Sequence, residues 1–257
     1  MFMSRRKFAA LAAGGAFAVA AAAPADHGLA ADRVKMKIKA VAFDGFPIID
    51  PRPVFARLGE IFPGKARQLG DAWRTRQFEY TWLRTLGGRY ADFWQVTEES
   101  LVFAAKALEI DLSADKRDQL MQTYLALKAW PDVAPALQEL KAAGIRMAFL
   151  SNLTDAMLDA AVKNSGLEGV FESHLSTDRV RAFKPDPRAY QMGIEAFRLE
   201  KEEIAFAAFA GWDVMGAKWF GYPTFWVNRV NAPAEELGMV PDGVGPGLGD
   251  LAKFVLA

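Results

Sequence analysis

Apolar and polar positions change rhythm several times along this chain, and the changes mark its elements. The stretch Lys37-Ile38-Lys39-Ala40-Val41-Ala42-Phe43 is short, mostly apolar and closed by an acid, Asp44. Gly45, Pro47 and a second acid, Asp50, follow at once. A continuous apolar run of that length, bounded by turn residues, reads as a strand buried on both faces. From Pro51 the rhythm becomes helical. Residues 51–62 read as an amphipathic helix stopped by Pro63-Gly64, and 66–86 as a longer one broken by Gly87-Gly88. Thr97 reads as the N-cap of a helix through Leu108, and Ser113 as the cap of one through Leu127. No strand is predicted in this region.

Alternation resumes near Trp130. A helix over 132–143 ends at Gly144, the usual C-terminal position for glycine. Strands are predicted over 145–150, 171–176, 204–209 and 224–227. Helices are predicted over 154–164, 185–197, 213–220 and 248–256. The Pro- and Gly-rich piece 241–249 reads as a surface loop. Strands alternating with helices predict an α/β fold. Its core is a Rossmann-like parallel sheet, and an all-helical cap is inserted after the first strand. The expected divisions are a core first part at 36–50, the cap at 51–129 and a core second part at 130–257.

The N-terminus follows a different pattern. Arg5-Arg6-Lys7 precede an Ala-rich apolar run through Ala23, and Ala23-Pro24-Ala25 offers an A-x-A-like cleavage site. This order matches a signal peptide, and the paired arginines resemble a twin-arginine export signal, with an ordinary secretory signal or an uncleaved anchor as the alternatives. Residues 1–25 are therefore expected to be a signal segment, and the mature chain periplasmic, with no membrane partner after cleavage.

Composition narrows the chemistry. Apolar residues make up 52% and charged residues 24%, ordinary values for a globular protein. The formal net charge is zero and no basic block occurs, which argues against nucleic acid as a partner. There is no cysteine, so disulfides, thiol catalysis and cysteine metal sites are excluded. Only two histidines exist, His27 and His174, too few for a His-rich metal cage.

Four polar sites fall at strand ends or in the loops that follow: Asp44, Ser151-Asn152, Lys184 and Asp213. In a parallel sheet such ends converge on one crevice, where ligands bind. Each also has an ordinary role open to it. Asp44, Ser151-Asn152 and Asp213 could cap strands or helices, and Lys184 could be a solvated loop residue. Their joint placement points instead to a site, with Asp44 as a candidate nucleophile.

The order Asp44, Ser151, Lys184, Asp213, with a helical insert after the first strand, resembles the haloacid dehalogenase superfamily. The segments Trp73-Arg74, Gln77, Glu79-Tyr80-Thr81-Trp82-Leu83-Arg84, Leu150-Ser151-Asn152, Lys184-Pro185-Asp186, Tyr190 and Gly211-Trp212-Asp213 narrow it. They are similar to the L-2-haloacid dehalogenases of type II. The resemblance implies that Asp44 displaces halide from C2 of a small 2-haloacid, forming an ester that water then hydrolyses. It implies that Lys184 orients Asp44, that Asp213 pairs with Lys184 and positions water, and that Arg74 stabilises the leaving halide. Ser151 and Asn152 would hold the substrate carboxylate, and Tyr190 would join the acid cluster. Phe46, Phe78, Phe93 and Trp212 would form apolar walls; for Phe78 and Phe93, ordinary core packing is the alternative.

No cofactor and no metal are implied. The phosphatases of the superfamily carry a second Asp where Phe46 stands, and a Gly-Asp pair where Ala208 and Phe209 stand. Members are commonly homodimers. The chain also departs from the dehalogenases. Ile48 replaces a threonine, and Ala208-Phe209-Ala210 replaces Ser-Ser-Asn. Three polar groups become apolar. Two other readings therefore stay open: a hydrolase of the superfamily acting on another small acid, and a non-catalytic protein that binds small acids.

Overall fold

The computed structural model describes residues 37–257. The predicted signal segment lies outside them. In chain order the elements are β1 (Ala40–Phe43), α1 (Gly45–Ile48), α2 (Arg52–Ile61), α3 (Ala66–Leu86), α4 (Phe93–Ala107) and α5 (Ala114–Leu125). There follow α6 (Val133–Ala142), β2 (Arg146–Ser151), α7 (Asp155–Ser165), β3 (His174–Ser176), α8 (Pro187–Phe197) and β4 (Ile204–Ala208). The chain closes with α9 (Gly211–Phe220), β5 (Thr224–Val227), β6 (Gly243–Gly245) and α10 (Leu248–Leu256). Among the described residues no helix is long and apolar enough to cross a membrane.

All strands form one parallel six-stranded sheet in the order β3-β2-β1-β4-β5-β6. Alternate residues face opposite layers. Val41, Phe43, Phe149, Ala205 and Ala207 belong to one core, and Ala40, Ala42, Ala148, Ile204 and Phe206 to the other. Every residue of β1 and β4 is buried, which is why both read as unbroken apolar runs. β1 lies between β2 and β4, so the chain order departs in opposite directions on its two sides. A crevice opens at such a reversal, beyond the carboxyl ends of the strands.

Helices α2 to α5 make the insert. The longest, α3, buries Leu69, Trp73, Gln77 and Thr81, four residues apart along one row. Two predictions are corrected here. Thr97 is not an N-cap: α4 starts a turn earlier, with Asp92 accepting the Gln95 N–H at 2.8 Å. Thr97 is instead buried within the helix, where its hydroxyl accepts Gln77 Nε2 at 2.7 Å and its carbonyl accepts Trp73 Nε1 at 2.8 Å. The segment 241–249 is not all loop. Gly243–Gly245 pairs with β5 as the edge strand β6. Its single apolar residue, Val244, is exposed, so no hydrophobic pattern announced it.

Two linkers join insert and sheet, and they pair with each other. Ile49 and Ala129 form an antiparallel bridge, Asp50 N–H donates to Lys128 O at 2.8 Å, and Trp130 N–H donates to Ile48 O at 3.0 Å.

Candidate active site

Asp44 follows the last residue of the central strand, and its N–H donates to Ala207 O of β4 at 3.0 Å. Its side chain caps the short helix α1, with Oδ2 accepting Phe46 N–H at 3.3 Å. Two part-buried side chains hold the turn that follows through three hydrogen bonds. Trp130 Nε1 donates to Phe46 O at 3.0 Å and Ile49 O at 3.1 Å, and Arg229 donates to Pro47 O at 2.9 Å. Arg229 is itself held by Asp132 at 2.9 Å. The rings and charges stack: the Arg52 and Arg229 guanidinium groups lie 4.4 and 4.7 Å from the Trp130 ring centre.

Lys184 is completely buried. Its Nζ donates to Asp44 Oδ1 at 2.8 Å and to Asp213 Oδ2 at 2.6 Å. The loop that carries it is fixed by Asn152, whose Oδ1 accepts the Lys184 N–H at 3.1 Å. Asp213 lies in the first turn of α9, and Tyr190 OH of α8 donates to its Oδ1 at 2.7 Å. The helices approach closely there because residue 216 is glycine: a Cβ at Gly216 would lie 2.2 Å from the Tyr190 hydroxyl oxygen. Ser151 ends β2, and its Oγ accepts Leu153 N–H at 3.2 Å, which leaves its own proton to donate. Gly45 is packed so tightly against it that a Cβ would lie 3.0 Å from Ser151 Oγ.

Electrostatics follow from this geometry. Burial pulls the Lys184 ammonium down, but the attraction of Asp213 and then Asp44 outweighs it, and its pKa lies above the usual lysine value. The lysine therefore stays charged. Burial pushes the Asp213 carboxyl up, Lys184 pulls it back, and Asp44 adds to the push; it stands at about 6. Burial, reinforced by Asp213, raises the Tyr190 hydroxyl well above its ordinary value, so it remains a donor.

A cavity of about 190 Å³ lies between α2, α3, α5 and the loops of the core. Phe46, Arg74, Phe78, Phe209 and Ala210 are in its wall, as are Trp73, Gln77 and Tyr124. Asp44, Lys184 and Ser151 do not line it. They are linked to it through Phe46, which donates to Asp44, and Ala210, whose carbonyl accepts Asp213 N–H at 3.1 Å. Arg67 and Arg76 of α3 pair with Asp71 and Glu79, but Arg74 has no carboxylate partner among the described residues. It presents an uncompensated guanidinium to a mostly apolar wall.

The structure thus brings Asp44, Lys184, Asp213, Tyr190 and Asn152 into one hydrogen-bonded cluster, and puts Phe46, Phe78 and Arg74 on the neighbouring cavity. Trp212 packs against Phe78 at 5.2 Å and Trp82 at 5.8 Å between ring centres. Phe93 does not reach the cavity wall. It is the first residue of α4, fully buried, and packs edge-on against Phe183 at 6.2 Å. Sequence reasoning missed Trp130, Gln77 and Tyr124 as parts of this region, and gave Asn152 only a ligand role. The motif segments held Gln77, but no local signal showed that Tyr124 would face it.

The pattern is matched in known proteins. A family model described as haloacid dehalogenase-like hydrolase matches residues 15–221. The (S)-2-haloacid dehalogenase of Pseudomonas sp. (strain YL) is 41% identical over 80% of this chain and 89% of its own. Haloacetate dehalogenase H-2 of Moraxella sp. (strain B) is 40% identical over 82% of this chain and 94% of its own. The structure of L-2-haloacid dehalogenase from Xanthobacter autotrophicus with chloropropionic acid covalently bound superposes with a TM-score of 0.77 at 35% identity. It covers 85% of this chain and 98% of that one. A central strand followed by Asp44, a buried lysine shared by two aspartates and a helical insert after that strand are thus accompanied by similarity over most of the chain, which belongs to the haloacid dehalogenase-like hydrolases.

Proposed function

We propose that this protein hydrolyses the carbon–halogen bond of (S)-2-haloacids through an ester on Asp44, without a metal. The observation that carries the reading is the Lys184 ammonium held between Asp44 and Asp213, with Arg74 on the wall of the cavity that Phe46 and Ala210 share. Lys184 occupies Asp44 Oδ1, and Oδ2 has only one long hydrogen bond, so Oδ2 attacks. It forms a bond to C2 as the halogen leaves with the bonding electrons, and Arg74 takes up the halide charge. Ser151 Oγ–H and the N–H of Asn152 hold the substrate carboxylate. Water then gives a proton to the Asp213 side and attacks Cγ of Asp44. The ester oxygen leaves with the second proton of that water as the hydroxyl of the 2-hydroxy acid, and Asp44 returns as a carboxylate carrying the water's oxygen. Splitting displacement into two steps lowers each barrier, and inversion at C2 follows from the first.

The donor set supports a metal-free reaction. Mg²⁺ needs several oxygen ligands in a near-octahedral array. Asp44 and Asp213 are both committed to Lys184, and Phe46, Phe209 and Ala210 add no side-chain oxygen. The relatives named as haloacid dehalogenases support the same assignment.

The test is chloride release from racemic 2-chloropropionate in EDTA. Half the chloride is expected, from the S enantiomer, with (R)-lactate as product and none from Asp44→Asn. A folded wild-type protein that releases no halide from chloro- or bromopropionate would overturn the assignment.

A further inference from the structure

The cavity is larger and more apolar than a methyl-bearing substrate needs. Its wall runs from Phe46 and Ala210, the two residues joined to Asp44 and Asp213, to Val54 of α2 and Tyr124 of α5. Ala210 stands where the resembling enzymes carry asparagine, so the wall beside the reaction centre is small and apolar. The volume is about 190 Å³. A dry apolar cavity of about 150 Å³ already holds a benzene ring. The polar groups facing it are few. The cations are Arg74 and Arg52, the latter paired with Asp50 at 2.6 Å, while Gln77 and the Tyr124 hydroxyl are neutral. Burial pushes that hydroxyl up to about 12. Among the described residues no carboxylate lines the cavity, so Arg74 is its one cation without a carboxylate partner there.

Taking the dehalogenase reading as its basis, we infer that this cavity receives the C2 substituent of the substrate, and that the preferred substrates are 2-haloacids with a butyl-sized or aryl group at C2. The carboxylate stays at Ser151, the halogen at Arg74, and the apolar group extends along Phe46 and Ala210 toward Val54. Filling an apolar site favours the longer chain by about fourfold per buried methylene.

Two measurements test this. The first needs no turnover: tryptophan fluorescence, reporting through Trp73 and Trp130 in the cavity wall, gives Kd values for propionate, butanoate and hexanoate. They are expected to fall about fourfold per methylene. The second compares halide release from 2-bromopropionate and 2-bromohexanoate in wild type and Val54→Phe. Wild type should favour the hexanoate in kcat/KM, and the larger side chain should cut that ratio about tenfold or more, in line with the loss of about two methylenes of burial. Chain-independent Kd values, or an unchanged ratio in folded Val54→Phe, would overturn the inference. Chain-dependent Kd values with no halide from any acid would uphold the cavity assignment and remove the dehalogenase reading. Halide from 2-bromopropionate with flat Kd values would do the reverse.

Discussion

Lys184 is the residue on which the charges balance. Buried between two carboxylates, its ammonium offsets a repulsion that neither aspartate could sustain alone. Lys184→Met is expected to reduce halide release by about 10² to 10³, as for loss of a buried active-site donor. It should also destabilise the fold by about 3 kcal/mol, because the buried Asp213 and the part-buried Asp44 lose their shared cation. Urea unfolding at pH 7.5 measures the second effect. Asp213 carries the pH dependence. Its folded-state pKa stands at about 6, above the ordinary 3.8, so the folded protein takes up this proton before the unfolded chain does. The stability from that proton is fully present below the unfolded value, and it is lost as pH rises through about 6. Activity runs the other way, because a protonated Asp213 neither pairs with Lys184 nor accepts a proton from water. The expected outcome is a kcat that falls below about pH 6, with unfolding free energy rising over the same interval by the amount that Asp213→Asn removes.

Between elements, precision depends on small contacts. Helices α8 and α9 meet where Gly216 leaves room for the Tyr190 hydroxyl, which in turn holds Asp213. Gly216→Ala must displace that hydroxyl. It should cost about 1–3 kcal/mol by overpacking and lower kcat more than it raises KM, as steady-state kinetics would show. The turn after β1 depends on Trp130 in the same way. Trp130→Phe strips the donor from Phe46 O and Ile49 O. Leaving part-buried acceptors unpaired costs about 1 kcal/mol, and loosening the α1 turn should reduce kcat as well. A variant with full activity and unchanged urea midpoint would show that the turn holds itself. Much at this scale was readable in advance. Pro63-Gly64, Gly87-Gly88 and Gly144 punctuate the helices as their chemistry requires, and Ser113 caps α5. Thr97 misled because a threonine before an apolar stretch looks alike as a cap and as a buried hydrogen-bonding hub. Asp92 wins the cap because its carboxylate reaches the Gln95 N–H.

For the whole molecule, the parallel sheet places the acids and the insert places Arg74 on the adjoining cavity. No step in this arrangement needs a divalent ion, so EDTA and added Mg²⁺ should leave both the thermal midpoint and the rate of halide release unchanged. A rise in rate with Mg²⁺, or hydrolysis of an aryl phosphate, would count against the proposed reaction. The sequence alone determined the class of fold and marked Asp44 as the candidate nucleophile. Burial on both faces leaves an unbroken apolar run, and an acid ending such a run needs only its neighbours to be recognised. It also held Lys184, Asp213 and Tyr190, through motif segments. The tertiary structure alone decided the rest. β6 exists because β5 offers it hydrogen bonds, since Gly243-Val244-Gly245 has no pattern of its own. Phe93 turned to Phe183 rather than to the cavity, Asn152 turned its side chain to the Lys184 backbone, and Val54 and Tyr124 met across the cavity. Periodicity is a property of neighbouring residues, whereas pairing and empty space are set by residues far apart in the chain, whose distances exist only once it has folded.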